Sequence, residues 1–442
     1  MKRIILTTLF VLTLCMAAWA ADVPKEVLKV DTGDTAWMLI STALVMLMTP
    51  GLGFFYGGMV RRKNVLGTIM HSFVMLCMVS VIWVLWGYSL SFGPDIGGVI
   101  GSLSWFGLNS VGQEPSDYAK TIPHLLFMIY QGMFAVITPA LITGAFAERM
   151  KFSALLVFSA LWLTLVYAPV CHWVWGGGWI GVTLGAIDFA GGTVVHINSA
   201  MAAVAAVIIM GKRKGYGRDP MPPHNLPMTI LGGALLWFGW FGFNSGSALS
   251  SSGLAAVAFV TTNTATAMAA MTWMVVEWIH RGKPTALGAV SGAVAGLVAI
   301  TPAAGFVSPM ASIIIGMGAG VLCYIAVSLK PKFGYDDSLD VIGVHGVGGT
   351  WGALATGLFA SKLINPTGGP DSLGVNGLFY GDPGQFLKQL TAVAATYVYV
   401  LIVSLVLFKV VDLVIGLRAS EEDEFAGLDL SMHGEKAYDS EG

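Results

Sequence analysis

Long apolar runs, separated by short links rich in charge, glycine or proline, set the rhythm of this chain. Eleven runs are long enough to cross a bilayer: residues 35–58, 66–91, 122–146, 152–174, 190–210, 226–247, 253–279, 285–303, 308–329, 341–363 and 385–415. Inside hydrocarbon every backbone N–H and C=O must be satisfied by the chain itself, which leaves a helix or a closed barrel. Barrel strands are about ten residues of alternating character, and these runs are longer and uniformly apolar. The pattern predicts an all-α integral membrane protein with eleven transmembrane helices.

Composition sharpens the picture. Of 442 residues, 55% are hydrophobic and 11% charged, whereas a soluble surface needs about a quarter charged residues. A formal net charge of -2 gives no basic excess for nucleic acid. The first twenty residues read as a secretory signal: Lys2 and Arg3, an apolar stretch from Ile4 to Met16, and Ala18-Trp19-Ala20 as a cleavage site. The apolar stretch is short for a span, and an uncleaved first span is the alternative. Cys15 would leave with the signal, and Cys77, Cys171 and Cys323 sit in apolar runs without metal-type spacing, so neither a disulfide framework nor a zinc site is indicated. The domain boundaries expected are a signal at 1–20, a transmembrane domain at 21–416 and a polar tail at 417–442.

Cleavage would place the mature N-terminus outside a bacterial inner membrane. The odd-numbered links are then cytoplasmic, and they hold thirteen basic residues, from Arg61, Arg62 and Lys63 to Lys330 and Lys332. The opposite side holds Lys25, Lys29, Lys120, Lys362 and Lys388. This positive-inside bias independently supports a periplasmic N-terminus and a cytoplasmic C-terminus.

Polar residues within spans are functional candidates by default. His196 in the fifth span and His345 in the tenth each follow an Asp by eight residues, Asp188 and Asp337, and each has a Val immediately before it. Asp188 falls at an outer end and Asp337 at an inner end, so the two segments run in opposite directions. Two halves of five spans plus one extra helix account for this inversion, and in such inverted repeats the substrate site lies near the midplane. Two facing neutral imidazoles can share a proton. Two separately satisfied structural histidines are the alternative, and a metal is a further one, although zinc usually takes a third or fourth Cys, His or carboxylate, and none lies at helical spacing here. Small neighbours such as Gly191, Gly192, Ser199, Gly346 and Gly348 let helices approach closely and favour a narrow pore.

Aromatic residues gather towards the outer side: Tyr130 and Phe134 early in the third span, Trp175 closing the fourth, and Trp240 to Phe243 near the end of the sixth, followed by Ser247. Ring faces attract cations and a hydroxyl accepts an N–H. An interfacial aromatic belt is the bland counterpart of that reading.

Several segments carry a specific resemblance: Ala147-Glu148-Arg149-Met150-Lys151-Phe152, Asp188 to Asn198, Gly239 to Asn244, and Gly343 to Gly348. Together they resemble the signature segments of ammonium transporters of the Amt/Rh type, in its bacterial Amt branch, across essentially the whole mature chain. The resemblance implies that Phe134, Trp175 and Ser247 form an outer ammonium site, that Phe134 and Phe243 form a stacked gate, and that His196 and His345 line the pore and relay a proton. Asp188 matches an outer carboxylate of mainly structural and electrostatic role, and Trp240 and Thr301 match positions near the path. Tyr130 stands where the family would be expected to have Phe. Also implied are a homotrimer, methylammonium as a second substrate, and a tail from Gly416 to Asp429 that talks to other subunits and to a PII-type signalling protein. A solvated acidic terminus is the plain alternative for Glu421 to Glu424.

Two rival functions share these features: an ammonium sensor, which would favour an appended kinase or cyclase domain that 26 tail residues are too few to make, and a neutral-gas channel of the Rh branch. An enzyme is not expected, because no nucleophile with a positioned base, zinc motif or nucleotide loop is present, and nothing calls for a cofactor.

Overall fold

A computed structural model describes residues 28–369 and 372–438. The expected signal peptide lies outside the described residues. All eleven expected segments form helices. They are α1 (Thr32–Met59), α2 (Arg62–Phe92), α3 (His124–Ala145), α4 (Phe152–Val174), α5 (Gly192–Met210), α6 (Leu226–Ala248), α7 (Gly253–Arg281), α8 (Ala286–Ile300), α9 (Pro309–Phe333), α10 and α11 (Pro383–Ile415). The tenth, α10, is a π turn at Ile342–Gly346 continued by an α-helix at Val347–Phe359. Among the described residues nine helices are long and apolar enough to cross a membrane, with α8 and α10 the shorter two. α8 gives way at Thr301 because Pro302 follows, and a residue before proline is biased away from helical backbone.

The first helices of the two halves, α1 and α6, pack along each other through glycines. A Cβ on Gly232 would stand 2.2 Å from the Phe55 nitrogen, and one on Gly239 would stand 2.6 Å from the Leu44 carbonyl oxygen. Lipid gives no hydrophobic drive for two apolar helices to associate, so close backbone approach through small residues supplies the contact. In α9, Gly316 plays the same part against α7, where a Cβ would meet the Ala265 oxygen at 2.3 Å. Large side chains fill the first half, with Trp83, Trp162, Phe146 and Phe158 all buried. α11 is the extra span; its exposed Leu387, Val398, Ile402 and Val406 belong in hydrocarbon rather than water.

Charged links converge at one end of the bundle. Arg213 donates to Glu148 and Asp336 at 3.1 and 2.8 Å, and Arg61 reaches Glu148 at 2.8 Å. Burial pushes the Glu148 carboxyl up, yet Arg61 and Arg213 more than offset it and hold the group below the usual range. Asp336 behaves alike: burial raises it, and Arg213 followed by Arg149 brings it below its ordinary value.

The tail docks on this end as two short helices, α12 (Glu421–Ala426) and α13 (Leu428–His433). Glu424 is buried and ion-paired with Arg418, and Glu421 meets Lys214, so the acidic run is not simply solvated. Asp429 accepts from the Leu66 and Gly67 nitrogens at 3.0 and 2.8 Å, which satisfies free N–H groups at the start of α2.

Candidate functional site

At the end of the bundle opposite the tail, the Asp188 carboxylate accepts four backbone N–H groups, those of Gly191, Gly192, Thr193 and Val194, at 2.7, 2.8, 2.7 and 3.4 Å. These N–H groups open the π turn Gly192–Ile197 that carries His196, and they have no partner within that turn. Gly191 sits at φ +116, and a Cβ there would press on Val195 at 2.8 Å and Trp175 at 3.3 Å. Burial pushes the Asp188 carboxyl up, while the backbone N–H groups pull it down without fully offsetting the burial. Its main-chain oxygen accepts the Trp175 indole N–H at 2.8 Å. Asp188 therefore builds the turn with its side chain and holds Trp175 with its backbone.

The second half repeats the device upside down. Asp337 accepts from the Ile342 nitrogen at 2.7 Å and so caps the π turn that carries His345. Burial pushes Asp337 up to about 6, against the pull of Lys330. The spacing of eight residues shared by the two Asp and His pairs is thus a cap and its cargo.

Phe134 and Phe243 stack with centroids 4.2 Å apart at 28°. Trp175 stands edge-on to Phe134 at 5.8 Å and 89°. Ser247 lies one turn beyond Phe243, and its hydroxyl donates to the Phe243 carbonyl at 2.8 Å. Beneath the stacked rings is a cavity of about 10 Å³ walled by Ile137, Leu141, Val195, Leu236, Trp240 and both histidines, space for about one water-sized molecule. His196 and His345 face each other across it, Nδ1 to Nδ1 at 3.2 Å. One nitrogen donates and the other accepts, so the pair holds one shared proton in its neutral form. Trp240 stacks on His196 at 5.4 Å and donates to Thr301 Oγ1 at 2.8 Å. The Thr301 hydroxyl in turn donates a hydrogen bond to the Leu297 carbonyl at 2.7 Å.

Of the site residues expected from the sequence, Trp240, Phe243, His196 and His345 line this small cavity. Phe134 and Trp175 stand with the stacked rings and Ser247 one turn beyond them. Tyr130 packs on Phe134, Thr301 holds Trp240, and Asp188 caps the turn of His196 without lining the cavity. What the sequence reading missed lies below it: a vestibule of about 420 Å³ runs from His345 to the tail side, with Tyr56, Trp273, Glu277, Tyr324 and Asp340 in its lining. Three more buried histidines also escaped notice. His124 pairs with Tyr88, His172 with Asp95 and the Ser91 carbonyl, and His71 packs between Phe146 and Phe152. None of the three lines the small cavity.

A family model described as the Ammonium Transporter Family matches residues 36–438. An ammonium transporter of Bacillus subtilis is 60% identical over 407 residues, 92% of this chain and 98% of the relative. Ammonium transporter Amt1 of Archaeoglobus fulgidus is 52% identical over 406 residues, covering 92% and 99%. The crystal structure of Candida albicans Mep2 has the same fold, with a TM-score of 0.84 at 39% identity over 92% of this chain and 91% of that one. The matched range contains both ring pairs, both histidines and the docked tail, and on that ground the chain belongs to the Ammonium Transporter Family.

Proposed function

We propose that this protein moves ammonium across a bacterial inner membrane by recruiting the cation at Phe134, Trp175 and Ser247, removing its proton, and conducting ammonia past His196 and His345. The observation that carries this reading is the 3.2 Å contact between the two imidazoles in an otherwise apolar constriction, directly beneath a stacked aromatic pair.

A cation meets the Trp175 and Phe134 faces first, where ring quadrupoles attract it without a full counter-charge. The Ser247 oxygen accepts one of its N–H groups. The constriction below is apolar and too small for a hydrated ion. Taking lysine as a chemical proxy, with pKa about 10.4, deprotonation at pH 7 costs roughly 4 to 5 kcal/mol. A bare monovalent ion in a dry constriction costs several kcal/mol after relaxation and of order 20 in the idealised limit. The two costs approach each other at the low end, and the drier the constriction the more it favours losing the proton. Potassium has no proton to lose, so it is excluded. The proton left behind passes through the shared Nδ1 contact, which makes transport electrogenic although the pore carries a neutral molecule.

The orientation in this reading is N-terminus periplasmic and C-terminus cytoplasmic, supported by the gathering of basic links and tail at one end. Cleavage after Ala20, supported by the Ala18-Trp19-Ala20 pattern, and assembly as a homotrimer and contact of the docked tail with a PII-type protein, both supported by the resemblance, complete the proposal. Reconstituted vesicles challenged with ammonium, methylammonium or potassium, with current and internal pH recorded together, test the whole. Inward current with ammonium and none with potassium is expected. Equal currents with both ions would overturn it, and ammonia flux without current would favour the neutral-gas channel.

A further inference from the structure

Tyr130 lies behind the ring gate, fully buried, with its ring edge against Phe134 at 5.1 Å. Its hydroxyl crosses from α3 to the irregular end of α6. There it stands 2.9 Å from the Gly242 carbonyl, 2.9 Å from the Phe243 carbonyl and 3.2 Å from Ser247 Oγ. This end of α6 is a π turn, Phe241–Ser245, followed by a 3-10 turn, Gly246–Ala248. Irregular backbone within membrane depth depends on side chains and neighbours to satisfy its polar groups. Gly246 leaves the space for the phenol, since a Cβ there would sit 2.7 Å from the Tyr130 oxygen.

Counting protons shows what the arrangement does. Tyr130 has one proton and Ser247 has one, and two carbonyls stand within reach of the first while one accepts the second. With the phenol donating to backbone and Ser247 donating to the Phe243 carbonyl, neither hydroxyl proton points at the aromatic site. The Ser247 oxygen then turns lone pairs, not a proton, towards an arriving N–H.

We infer that Tyr130 is a positioning residue for the outer site: its hydroxyl pins the α6 end so that Ser247 presents an acceptor to the cation. This rests on the functional reading above. Phe at 130 would keep the ring, its burial and its contact with Phe134, and would remove only the tie.

The test is an ammonium titration of transport current in vesicles for the wild type, Tyr130→Phe, Ser247→Ala, the double variant and Trp175→Leu. Tyr130→Phe is expected to raise the half-saturating concentration about three- to tenfold, the scale of one hydrogen bond, with the maximal current within about twofold of wild type. In the Ser247→Ala background the same change should add less than about twofold, because the oxygen it orients is gone. Independent, multiplying effects would overturn the inference, as would an unchanged half-saturation in Tyr130→Phe with Ser247→Ala strongly impaired. Loss of maximal current or of protein yield alone would make the tie merely structural and overturn it as well. Wild-type saturation in both Ser247→Ala and Trp175→Leu would instead remove the outer site itself.

Discussion

His196 and His345 lie 149 residues apart in the chain and 3.2 Å apart in space, Nδ1 to Nδ1. Each is delivered by a π turn whose N–H groups are capped by an aspartate eight residues upstream, Asp188 from one side and Asp337 from the other. The contact is what an inverted repeat produces where its halves cross.

Replacing both histidines with alanine opens the constriction and removes the shared proton. The double variant should lose at least about tenfold of its ammonium-evoked current, the low end for one acid–base group, or else become a leak for potassium. A double variant with wild-type current and wild-type potassium exclusion would remove the pair from the mechanism.

Trp175 presents its ring beside Phe134 at 5.8 Å, and a cation over such a ring gains about 0.5 to 2 kcal/mol. Trp175→Leu should therefore raise the half-saturating ammonium concentration roughly two- to thirtyfold. Ammonium should lose more than methylammonium, whose methyl group gains from any apolar surface. Saturation curves for the two substrates in the same vesicles give the answer.

The Asp188 carboxylate serves four backbone N–H groups through two oxygens. Asp188→Ala strands these donors in a buried site, at about 1 to 3 kcal/mol for each lost partner. It should unfold several degrees lower in detergent and lose Trp175 from its seat. Asp188→Asn keeps one acceptor oxygen and should fall between the two. Thermal unfolding with tryptophan fluorescence reads both effects, and equal stability of all three proteins would contradict the capping role.

Arg213 is the cation shared by Glu148 and Asp336. Removing one partner of a buried ion pair costs about 3 to 5 kcal/mol, so Arg213→Ala should be among the more damaging changes at the tail end. Both carboxyls are held below their ordinary values. Their contribution to stability is therefore full above the unfolded range, near pH 4 to 4.5, and is lost as pH falls through the lower folded values. Without Arg213 the Asp336 carboxyl should rise towards or above its unfolded value, because burial then outweighs the remaining cation, so the variant should be less stable at pH 7 but lose less stability on acidification. Unfolding temperatures between pH 7 and pH 3 should show a flatter acid profile for Arg213→Ala than for the wild type, and superimposable profiles would refute it.

Span number and placement were legible in the sequence because run length and apolarity are local properties, and hydrocarbon leaves the helix as the answer. The inversion was legible too, from one coincidence of spacing: Asp188 and Asp337 each precede a histidine by eight residues. Facing was not. A helix surrounded by lipid on one side and helices on the other is apolar all round, so its sequence carries almost no record of which side turns inward. That is why His71, His124 and His172 could not be told from His196 and His345 by polarity alone, although they meet different partners. It is also why the Tyr130 hydroxyl had no visible purpose until α6 was packed beside α3, bringing residues more than a hundred positions apart to 2.9 Å. Hydrophobic length sets how many times this chain crosses the membrane; close packing at glycines, and the need to satisfy every buried N–H and C=O, decide which side chains meet inside it.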